Sequence, residues 1–484
     1  MVEFGLNEYA SDMVSVQREL PDLRDHQCHS AAMNYKLPDP AATSIVIVFY
    51  NEPWSVLVRT VHSVLDRSPS QLLREIILVD DCSSYPYLKT QLEEYFEPYS
   101  KVRIIRAKTR LGLIRARILG AKSASSDILT FLDAHVECTA GWLEPLLDVV
   151  ARNSSTVAVP TIDRIDEKDL RYETNVSLLL AGAFEWDLNF GWCQRSQLRR
   201  KYAHSFEPFH TPAMAGGLFT IDRKFFDRIG WYDEGYIVYG MENAELSIKV
   251  WMCGGALLTV PCSRVGHIQK HAHPYLFNVK KDVALYNSVR LAEVWMDEYK
   301  QVVFDVNGIP HFSQERFGSV DDRKRVRTRA QCRSFQDYLR YGFPEITSPA
   351  IEGQFRGEVR NVALRNESCL TVDEQRNVPY MAECDGLEQT QYWSHSFYQD
   401  INSYKRCLDF TGVQLLTAIC HRHRRNQAWM YVSETGQIFS STHYKCLAVD
   451  KRSNVTLTME KCEATEPRQQ WNVQLVQYDF LKNS

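Results

Sequence analysis

The last quarter of the chain, residues 358–484, repeats itself three times. A cysteine recurs at intervals of 38 and 39 residues, a second cysteine follows each one after 13 to 16 residues, and a tryptophan follows nine residues later. The repeated residues are Cys369, Cys384 and Trp393, then Cys407, Cys420 and Trp429, and finally Cys446, Cys462 and Trp471. This period, with one cysteine pair and one tryptophan per copy, predicts three small units that share one core, with the tryptophans buried in it.

The cysteine spacing also indicates the compartment. Regularly paired cysteines are typical of a disulfide framework, which persists in an oxidising lumen. Four N-glycosylation sequons agree with this interpretation, and they begin at Asn153, Asn175, Asn366 and Asn454. No apolar run reaches the length of a membrane span, and residues 1–30 lack the pattern of a signal peptide. We therefore predict a secretory-pathway protein whose targeting segment and membrane anchor are absent from this chain.

Composition bounds the number of domains. The 484 residues are 44% hydrophobic, enough for two or three domains with cores of their own. We predict an N-terminal connecting arm over 1–42, an α/β domain over 43–341, a linker over 342–357 and the repeated all-β domain over 358–484. The net charge of −4 and the pI of about 6.4 give no reason to expect a nucleic-acid partner.

Four buried strands, separated by two helices, are predicted in the first part of the α/β domain. Their apolar runs begin at Ser44, Glu75, Val102 and Ile128. This order of elements is typical of a nucleotide-binding half-domain. Ligands of such sheets gather beyond the carboxyl ends of the strands, so the polar residues that end these strands are the candidate site.

The fourth strand ends in Asp133-Ala-His135. Side chains alternate along a strand, so Asp133 and His135 point the same way and offer one carboxylate and one imidazole to a divalent cation. Such a mixed ligand set suits Mn²⁺ at least as well as Mg²⁺. The alternative is that Asp133 caps the helix expected near Trp142 and that His135 is a surface residue.

Two further polar residues follow neighbouring strands. Asp81 ends the second strand and could accept hydrogen bonds from the N3–H and a hydroxyl of a uridine. Arg110 precedes the helix that opens near Gly112 and could pair with phosphate or nucleotide oxygens. Taken singly, each is as well explained by a turn aspartate or a solvated arginine. Together with Asp133 and His135 they indicate a nucleotide diphosphate held through a metal.

Eight runs along the chain resemble those of the polypeptide N-acetylgalactosaminyltransferase family, and the resemblance extends over residues 40–484. The runs are 46–52, 75–81, 112–117, 131–135, 141–147, 214–219, 250–255 and 265–267. The resemblance implies a glycosyltransferase A fold over 43–341. It further implies transfer of GalNAc from UDP-GalNAc to Ser or Thr hydroxyls of proteins, in the Golgi lumen, with Mn²⁺.

The same resemblance implies roles for residues in the second half of this domain. His267 would be the third metal ligand, after Asp133 and His135. Gly216 and Gly217 would let the backbone approach the sugar closely. Glu242 and Asn243 would lie on the sugar side, and the product would retain its anomeric configuration. An inverting mechanism with Glu242 as general base is the alternative.

Departures from the family pattern fall near this site. The usual Trp-Gly-Gly-Glu-Asn reads Tyr239-Gly-Met241-Glu-Asn here, as in a subset of the family. Lys270 stands where an arginine is usual and cannot make a two-pronged diphosphate contact. Tyr275 belongs to a stretch expected to close over UDP. These changes keep open a second hypothesis, a glycan-binding protein that no longer catalyses transfer.

The repeated domain resembles ricin-type β-trefoil lectins, in which sugar binding depends on an Asp two residues after the first cysteine. The middle repeat keeps the set Asp409, His421 and Asn426, whereas Thr371 and Ala448 occupy the key position in the other repeats. We therefore predict one sugar site, which would direct the enzyme to glycosylated acceptors. The basic run 421–425 is either a solvated loop or a patch that favours acidic or densely glycosylated acceptors.

Two further disulfides are implied by the family pattern, and they add to the three pairs within the repeats. They join Cys28 to Cys262 and Cys253 to Cys332. Thirteen cysteines less these ten leave Cys82, Cys138 and Cys193 as free thiols.

Overall fold

The computed structural model describes residues 4–32, 34–37, 42–174, 179–198, 200–270, 282–346, 354–373, 376–386, 390–403 and 406–476. The chain forms two compact units. The first contains Met1–Trp295 and Gly318–Ile346, and the second contains Met296–Phe317 and Thr347–Ser484. The segment Met296–Phe317, which lies within the predicted domain 43–341, thus packs with the repeated part of the chain.

The helices are short except where an apolar face packs on the sheet. Their bounds are α1 Glu8–Met13, α2 Gln27–Ala32, α3 Trp54–Arg67, α4 Thr90–Phe96, α5 Leu113–Ser123, α6 Glu144–Arg152, α7 Arg223–Arg228, α8 Glu242–Met252, α9 Val283–Trp295, α10 Lys300–Val306, α11 Gln314–Phe317, α12 Asp321–Arg329 and α13 Phe335–Asp337. In α3, Val58, Val61 and Val64 recur at helical spacing and are fully buried. None of the described helices is both long and apolar enough to cross a membrane.

The first unit is built on a mixed sheet with one separate hairpin. Its strands are β1 Thr43–Phe49, β2 Leu73–Asp80, β3 Val102–Arg106, β4 Ile128–Asp133, β5 Val136–Cys138, β6 Thr156–Ile165, β7 Tyr172–Glu173, β8 Leu180–Phe184, β9 Phe190–Gln194, β10 Phe209–His210, β11 Phe219–Asp222 and β12 Ala256–Ile268. The sheet order is β10-β12-β6-β11-β4-β1-β2-β3, with β5 on β12 and β7 on β6, while β8 and β9 form the hairpin.

The parallel part of this sheet determines where the site lies. β1 runs parallel to both β2 and β4, with Val48 opposite Asp133 and Phe49 opposite Asp80. Their apolar side chains are buried on both faces, as the near-continuous hydrophobic runs predict. The carboxyl ends of β1, β2 and β4 therefore meet at one edge.

The described part of the N-terminal arm is folded onto the first unit. Arg59 is 2% exposed, and its guanidinium donates to the carbonyls of Ser11, Val14 and Ser15. Arg18 pairs with the carboxylate of Glu137 at 2.7 Å. Hydrogen bonds from a buried guanidinium to main-chain carbonyls fix the path of a segment that has little apolar pattern of its own.

The second unit is all-β apart from α10, α11 and short turns. Its strands are β13 Phe355–Asn361, β14 Ser368–Asp373, β15 Val378–Glu383, β16 Trp393–His395, β17 Ile401–Ser403, β18 Arg406–Phe410, β19 Leu415–Ile419, β20 Trp429–Val432, β21 Gln437–Ser440, β22 Lys445–Val449, β23 Leu457–Glu460 and β24 Trp471–Leu475. The fold shows the internal triplication directly. The indole N–H groups of Trp393, Trp429 and Trp471 donate to the carbonyls of Leu370, Leu408 and Leu447 at 2.7, 2.9 and 3.0 Å.

Five disulfides form, and each joins two cysteines of the same unit. The pairs are Cys28–Cys262, Cys253–Cys332, Cys369–Cys384, Cys407–Cys420 and Cys446–Cys462. Three of them close short loops, one in each repeat, and two join distant parts of the first unit. The free cysteines are Cys82, Cys138 and Cys193, of which Cys138 is buried.

Candidate metal and nucleotide site

Two strands and a turn bring the predicted metal ligands together. β4 ends at Asp133, and His135 follows in the turn before β5. β12 runs antiparallel to β5 with His267 opposite Val136, and the N–H of Ile268 donates to the carbonyl of His135 at 3.1 Å. One donor atom from each of Asp133, His135 and His267 lies within 4.8 Å of the others.

The spacing of these donors suits a divalent cation. Nε2 of His267 lies 3.1 Å from Oδ2 of Asp133, and the rings of His135 and His267 meet edge to face with centroids 4.8 Å apart. Divalent first-row ions bind nitrogen and oxygen donors at roughly 2.0–2.2 Å, so the three groups can share one ion. One carboxylate and two imidazoles form a set that accepts Mn²⁺ and leaves positions for oxygens of a bound molecule.

Arg117 holds the carboxylate of Asp133 in place. Its guanidinium is 2% exposed, and Nη2 donates to Oδ1 of Asp133 at 2.8 Å. It also donates to the carbonyls of Gly216 at 2.6 Å and Gly217 at 3.1 Å. Burial alone would raise the pKa of Asp133, but the hydrogen bond from His267 and the charge of Arg117 outweigh it and hold that pKa well below its ordinary value. Asp133 is therefore an anion at neutral pH, as a metal ligand must be.

A second ion pair lies on the far side of His135. Nδ1 of His135 is 3.4 Å from Oε1 of Glu52, and Nζ of Lys270 donates to the same oxygen at 2.5 Å. Burial would raise the pKa of Glu52, but the positive charge of Lys270 and its hydrogen bond to the carboxylate outweigh burial and lower the pKa to about 2. Burial lowers the pKa of His135, and the charge of Lys270 lowers it further. The imidazole is therefore neutral and keeps a lone pair for a cation.

Asp81 is buried and organises the loop before α5. Its carboxylate accepts from Nη1 of Arg110 at 2.5 Å and from the N–H groups of Leu111 at 2.6 Å and Gly112 at 3.0 Å. The guanidinium carbon of Arg110 lies over the ring of Tyr50, 3.3 Å from its centroid. Asp81 thus fixes the position of Arg110 and of the α5 N-terminus at the edge where β2 ends.

Two glycines pack against the side chains of Asp133 and Asn243. A Cβ on Gly217 would lie 2.3 Å from Oδ2 of Asp133, and a Cβ on Gly216 would lie 2.5 Å from the Cβ of Asn243. Gly216 also has a φ of 89°, which side-chain-bearing residues rarely adopt. Any other residue at either position would displace the carboxylate or the first turn of α8.

Glu242 begins α8 and is 6% exposed. Its Oε2 accepts from the N–H of Gly240 at 2.5 Å, and burial raises the pKa of its carboxyl. The preceding loop is fixed by Asn287 of α9, whose Nδ2 donates to the carbonyls of Gly240 at 2.9 Å and Tyr239 at 3.3 Å. A buried amide, rather than local sequence, therefore determines the path of the loop that carries Tyr239.

The site residues described above surround one cavity of about 200 Å³. Its lining includes, besides the three metal-ligand candidates, Tyr50, Glu52, Asp81, Arg110, Arg117, Gly216, Gly217, Tyr239 and Glu242. A second cavity of about 460 Å³ is lined in part by Trp192, Arg264, Ala215 and His267, and it shares the last two with the first cavity. Lys270 contacts Glu52, and Asn243 packs against Gly216. Tyr275 lies outside the described residues.

Three residues that the structure brings to this site are not predicted from the sequence. Glu52 and Arg117 lie in runs that resemble the family, yet the sequence predicts no role for either residue. A signal existed for Glu52, because a carboxylate that follows a strand paired with β4 must lie near Asp133. Arg117 could have been found as an arginine on a helix face that packs on β1 and β2. Asn287 has no local signal, since its partners lie about fifty residues earlier in the chain.

The predicted sugar-site residues of the middle repeat are joined through one glutamine. Nε2 of Gln427 donates to Oδ2 of Asp409 at 3.1 Å, and its Oε1 accepts from the N–H of His421 at 3.0 Å. Asn426 lies directly before this glutamine in the turn Arg425–Gln427. In the first repeat Gln391 donates to Thr371 instead, at 3.1 Å. Only the middle repeat thus offers a carboxylate at this position.

Three family models match the chain. They are described as glycosyl transferase family 2 over residues 44–230, N-terminal domain of galactosyltransferase over 196–274, and ricin-type beta-trefoil lectin domain over 355–471. Together with the observed sheets, they define a glycosyltransferase A domain followed by a ricin-type β-trefoil, as the sequence predicts.

Relatives and a solved structure agree over almost the whole chain. "Putative polypeptide N-acetylgalactosaminyltransferase 9" of Drosophila melanogaster is 46% identical over 99% of this chain and 73% of its own length. "Polypeptide N-acetylgalactosaminyltransferase 5" of Caenorhabditis elegans is 41% identical over 97% and 75%, respectively. The "Crystal structure of GalNAc-T7 with UDP, GalNAc and Mn2+" superimposes with a TM-score of 0.74 at 32% identity, and covers 98% of this chain and 88% of that one. The chain belongs to the polypeptide N-acetylgalactosaminyltransferase family, and nothing in these comparisons supports the hypothesis of an inactive glycan-binding protein.

Proposed function

We propose that this protein transfers GalNAc from UDP-GalNAc to Ser and Thr hydroxyls of proteins, with Mn²⁺, in the Golgi lumen. The observation that carries the proposal is the cluster of Asp133, His135 and His267 beside a cavity that also contains Glu242, in a member of this family. The five disulfides support an oxidising, lumenal compartment.

In this proposal the donor binds at the cavity of about 200 Å³. Asp81 and Arg110 hold the uridine end at the edge of β2, while Asp133, His135 and His267 hold Mn²⁺. When bound, that ion neutralises charge on the diphosphate as the bond from sugar to oxygen breaks. The backbone of Gly216 and Gly217 lies against the sugar, since neither residue has a side chain to exclude it. Lys270 keeps a positive charge at the diphosphate end, and we assign Tyr239 to the wall that excludes water.

Retention of configuration follows if the acceptor hydroxyl attacks from the face that UDP leaves. The hydroxyl oxygen then bonds to the anomeric carbon, the bond to the diphosphate breaks, and the hydroxyl proton passes to the departing diphosphate oxygen. Glu242 orients sugar hydroxyls, because one of its oxygens is already used by the N–H of Gly240. Asn243 stands beside it, against Gly216. A β-linked product would instead identify Glu242 as a general base.

The acceptor lies in the larger cavity, which meets the first at Ala215 and His267. Trp192 is 48% exposed there and offers a flat apolar surface to a peptide. A peptide in this cavity would bring its hydroxyl to the sugar without entering the nucleotide pocket.

The activity is tested by incubating the full chain with UDP-GalNAc, Mn²⁺ and Thr-rich peptides, with and without a GalNAc already attached. We expect a mass gain of one N-acetylhexosamine, lost when Mn²⁺ is chelated. Nuclear magnetic resonance of the product then reports the anomeric configuration. No gain on any peptide or glycopeptide would refute the proposed activity.

Glu52 is expected to position His135 rather than to contact the donor. A carboxylate beside Nδ1 keeps the proton on that nitrogen and leaves Nε2 for the cation. Glu52→Gln should therefore weaken Mn²⁺ binding about tenfold to a hundredfold, the range typical of such outer partners of a metal ligand. Calorimetric titration with Mn²⁺ measures this, and Glu52→Asp should restore part of the affinity. Unchanged Mn²⁺ affinity in Glu52→Gln would show that Glu52 serves the fold alone.

The trefoil binds α-linked GalNAc through Asp409, His421 and Asn426 and directs the enzyme to glycosylated acceptors in this proposal. Asp409→Ala should abolish the preference for glycopeptides over naked peptides and leave transfer to naked peptides unchanged. Thr371→Ala, at the equivalent position of the first repeat, is the matched control and should keep the preference. The preference is measured by letting the naked peptide and the glycopeptide compete in one reaction. A preference that persists in Asp409→Ala would contradict the single-site assignment.

A further inference from the structure

We propose that the basic loop, residues 421–425, binds acidic side chains that flank the glycosylated residue of a glycopeptide held at Asp409. The partner is thus an acidic glycopeptide, and the loop adds a charge requirement to the sugar requirement. This inference rests on the sugar site proposed above.

The internal triplication provides a comparison within the same chain. The residue after the second cysteine of each repeat donates its N–H to the glutamine two positions before the tryptophan. These residues are Asp385, His421 and Glu463, at 3.0, 3.0 and 2.8 Å from their glutamine oxygens. The three loops therefore begin at structurally equivalent points.

The charge of these equivalent loops is inverted in the middle repeat. The first loop begins Cys384-Asp-Gly and the third reads Cys462-Glu-Ala-Thr-Glu, whereas the middle one reads Cys420-His-Arg-His-Arg-Arg. Because acidic loops satisfy the same fold twice, the fold does not require the basic one. The inversion falls on the repeat that keeps a carboxylate for the sugar, so a binding role explains it where a packing role does not.

The backbone of the loop is held in an uncommon conformation. Arg422, Arg424 and Arg425 have φ values of 57°, 61° and 48°, which residues other than glycine seldom adopt. The carbonyl of Arg425 accepts from Oγ1 of Thr442 at 2.5 Å, and that of Arg424 accepts from the N–H of Gln427 at 3.0 Å. Such a conformation persists only where the surroundings fix it. The loop therefore presents its cations in a set arrangement rather than as a mobile chain.

One cation anchors the loop, and others are available to a partner. Arg422 lies 5.4 Å from the ring centroid of Tyr398 and donates to Oδ1 of Asn307 at 3.4 Å. His423, Arg424 and Arg425 are exposed, and within the described part of the chain Arg424 and Arg425 form no salt bridge. Gln427 ties the start of this loop to Asp409, so a carboxylate close to a bound sugar would meet unpaired guanidinium groups.

The test compares two glycopeptides that carry one GalNAc-Thr, flanked either by Asp and Glu or by Asn and Gln. Binding to the full chain is measured by fluorescence anisotropy without UDP or Mn²⁺, and free GalNAc serves as competitor so that only trefoil binding is counted. Two partly exposed ion pairs of about 0.5 kcal/mol each predict about fivefold tighter binding of the acidic glycopeptide at low ionic strength. High salt should remove most of that difference.

The double variant Arg424→Asn/Arg425→Asn should bind both glycopeptides equally, because asparagine tolerates positive φ and carries no charge. Lys451→Asn/Arg452→Asn removes the same charge from another exposed loop of the same unit and should keep the fivefold difference. Equal binding of both glycopeptides to the wild-type chain, or a preference that persists in Arg424→Asn/Arg425→Asn, would overturn the proposal. A preference for a glycopeptide with an uncharged peptide and a sialylated GalNAc, over the one with acidic side chains, would also overturn it. Failure of either glycopeptide to compete with GalNAc would instead refute the sugar site itself.

Discussion

Asparagine in place of Asp133 is expected to lower the rate of GalNAc transfer at least about a thousandfold, which corresponds to roughly 4 kcal/mol of transition-state stabilisation. Asp133 supplies the carboxylate of the cluster that it forms with His135 and His267, and its low pKa keeps it charged at neutral pH. An amide oxygen is a weaker ligand for a divalent cation than an anionic carboxylate. The neutralisation of the departing diphosphate should therefore fail together with metal binding.

Two measurements separate the loss of the metal from a loss of the fold. Electron paramagnetic resonance of Mn²⁺ with UDP present should show affinity lowered by more than about tenfold in Asp133→Asn. Asp80→Asn is the matched control, since Asp80 is a fully buried carboxylate at the same sheet edge but pairs with Arg106 and Lys89. That variant should lose stability and keep Mn²⁺ affinity. Wild-type Mn²⁺ affinity in Asp133→Asn would exclude the cluster as the metal site.

The strands that carry this site could be predicted from local sequence because each is a continuous apolar run. In a parallel sheet such runs are buried on both faces, so β1, β2 and β4 leave a strong pattern. The polar residue that ends a run then lies at the carboxyl edge by geometry alone. The sequence therefore places Asp133 and Asp81 at this edge. It also places His135 there, because side chains two residues apart along a strand point the same way.

Other parts of the site depend on contacts that no local pattern encodes. His267 joins the cluster because β12 pairs with β5, and that pairing connects positions more than a hundred residues apart. Arg117 acquires its role from two carbonyls a hundred residues downstream, and Asn287 from a loop about fifty residues upstream. The resemblance to a family supplied His267 in advance, but it supplied no role for Arg117. Long-range hydrogen bonds therefore mark the limit of what the sequence predicts here.

The trefoil illustrates the opposite case, in which repetition makes a fold predictable. Each copy places the same cysteine pair, glutamine and tryptophan at the same spacing, so the copies must occupy equivalent positions. The equivalent indole hydrogen bonds confirm that the tryptophans belong to the core. The left-handed residues at Arg422 and Arg424 were not predictable, because they depend on contacts of the folded loop.

Arg117→Met should have the second largest effect, and it should act on stability and catalysis together. The guanidinium is buried and gives hydrogen bonds to Asp133, Gly216 and Gly217. Its removal leaves a partly buried carboxylate without this cation, and because Asp133 keeps some exposure we expect a cost of about 3 kcal/mol, the lower end for a broken buried pair. The carbonyls of Gly216 and Gly217 also lose a hydrogen-bond donor, and the segment that contains these glycines is then free to move away from the sugar. We expect unfolding at lower denaturant concentration and a decrease in kcat of about a hundredfold.

Mn²⁺ should partly compensate for this substitution, and that response identifies the site of damage. A divalent cation beside Asp133 restores positive charge to the uncompensated carboxylate, so saturating Mn²⁺ should raise the Tm of Arg117→Met more than that of the wild-type chain. Arg59→Met is the matched control, because Arg59 is equally buried but holds the carbonyls of the N-terminal arm. It should lower Tm, gain no extra stabilisation from Mn²⁺ and keep kcat. A wild-type kcat in Arg117→Met, or an equal gain from Mn²⁺ in both variants, would mean that Arg117 supports the fold without positioning Asp133.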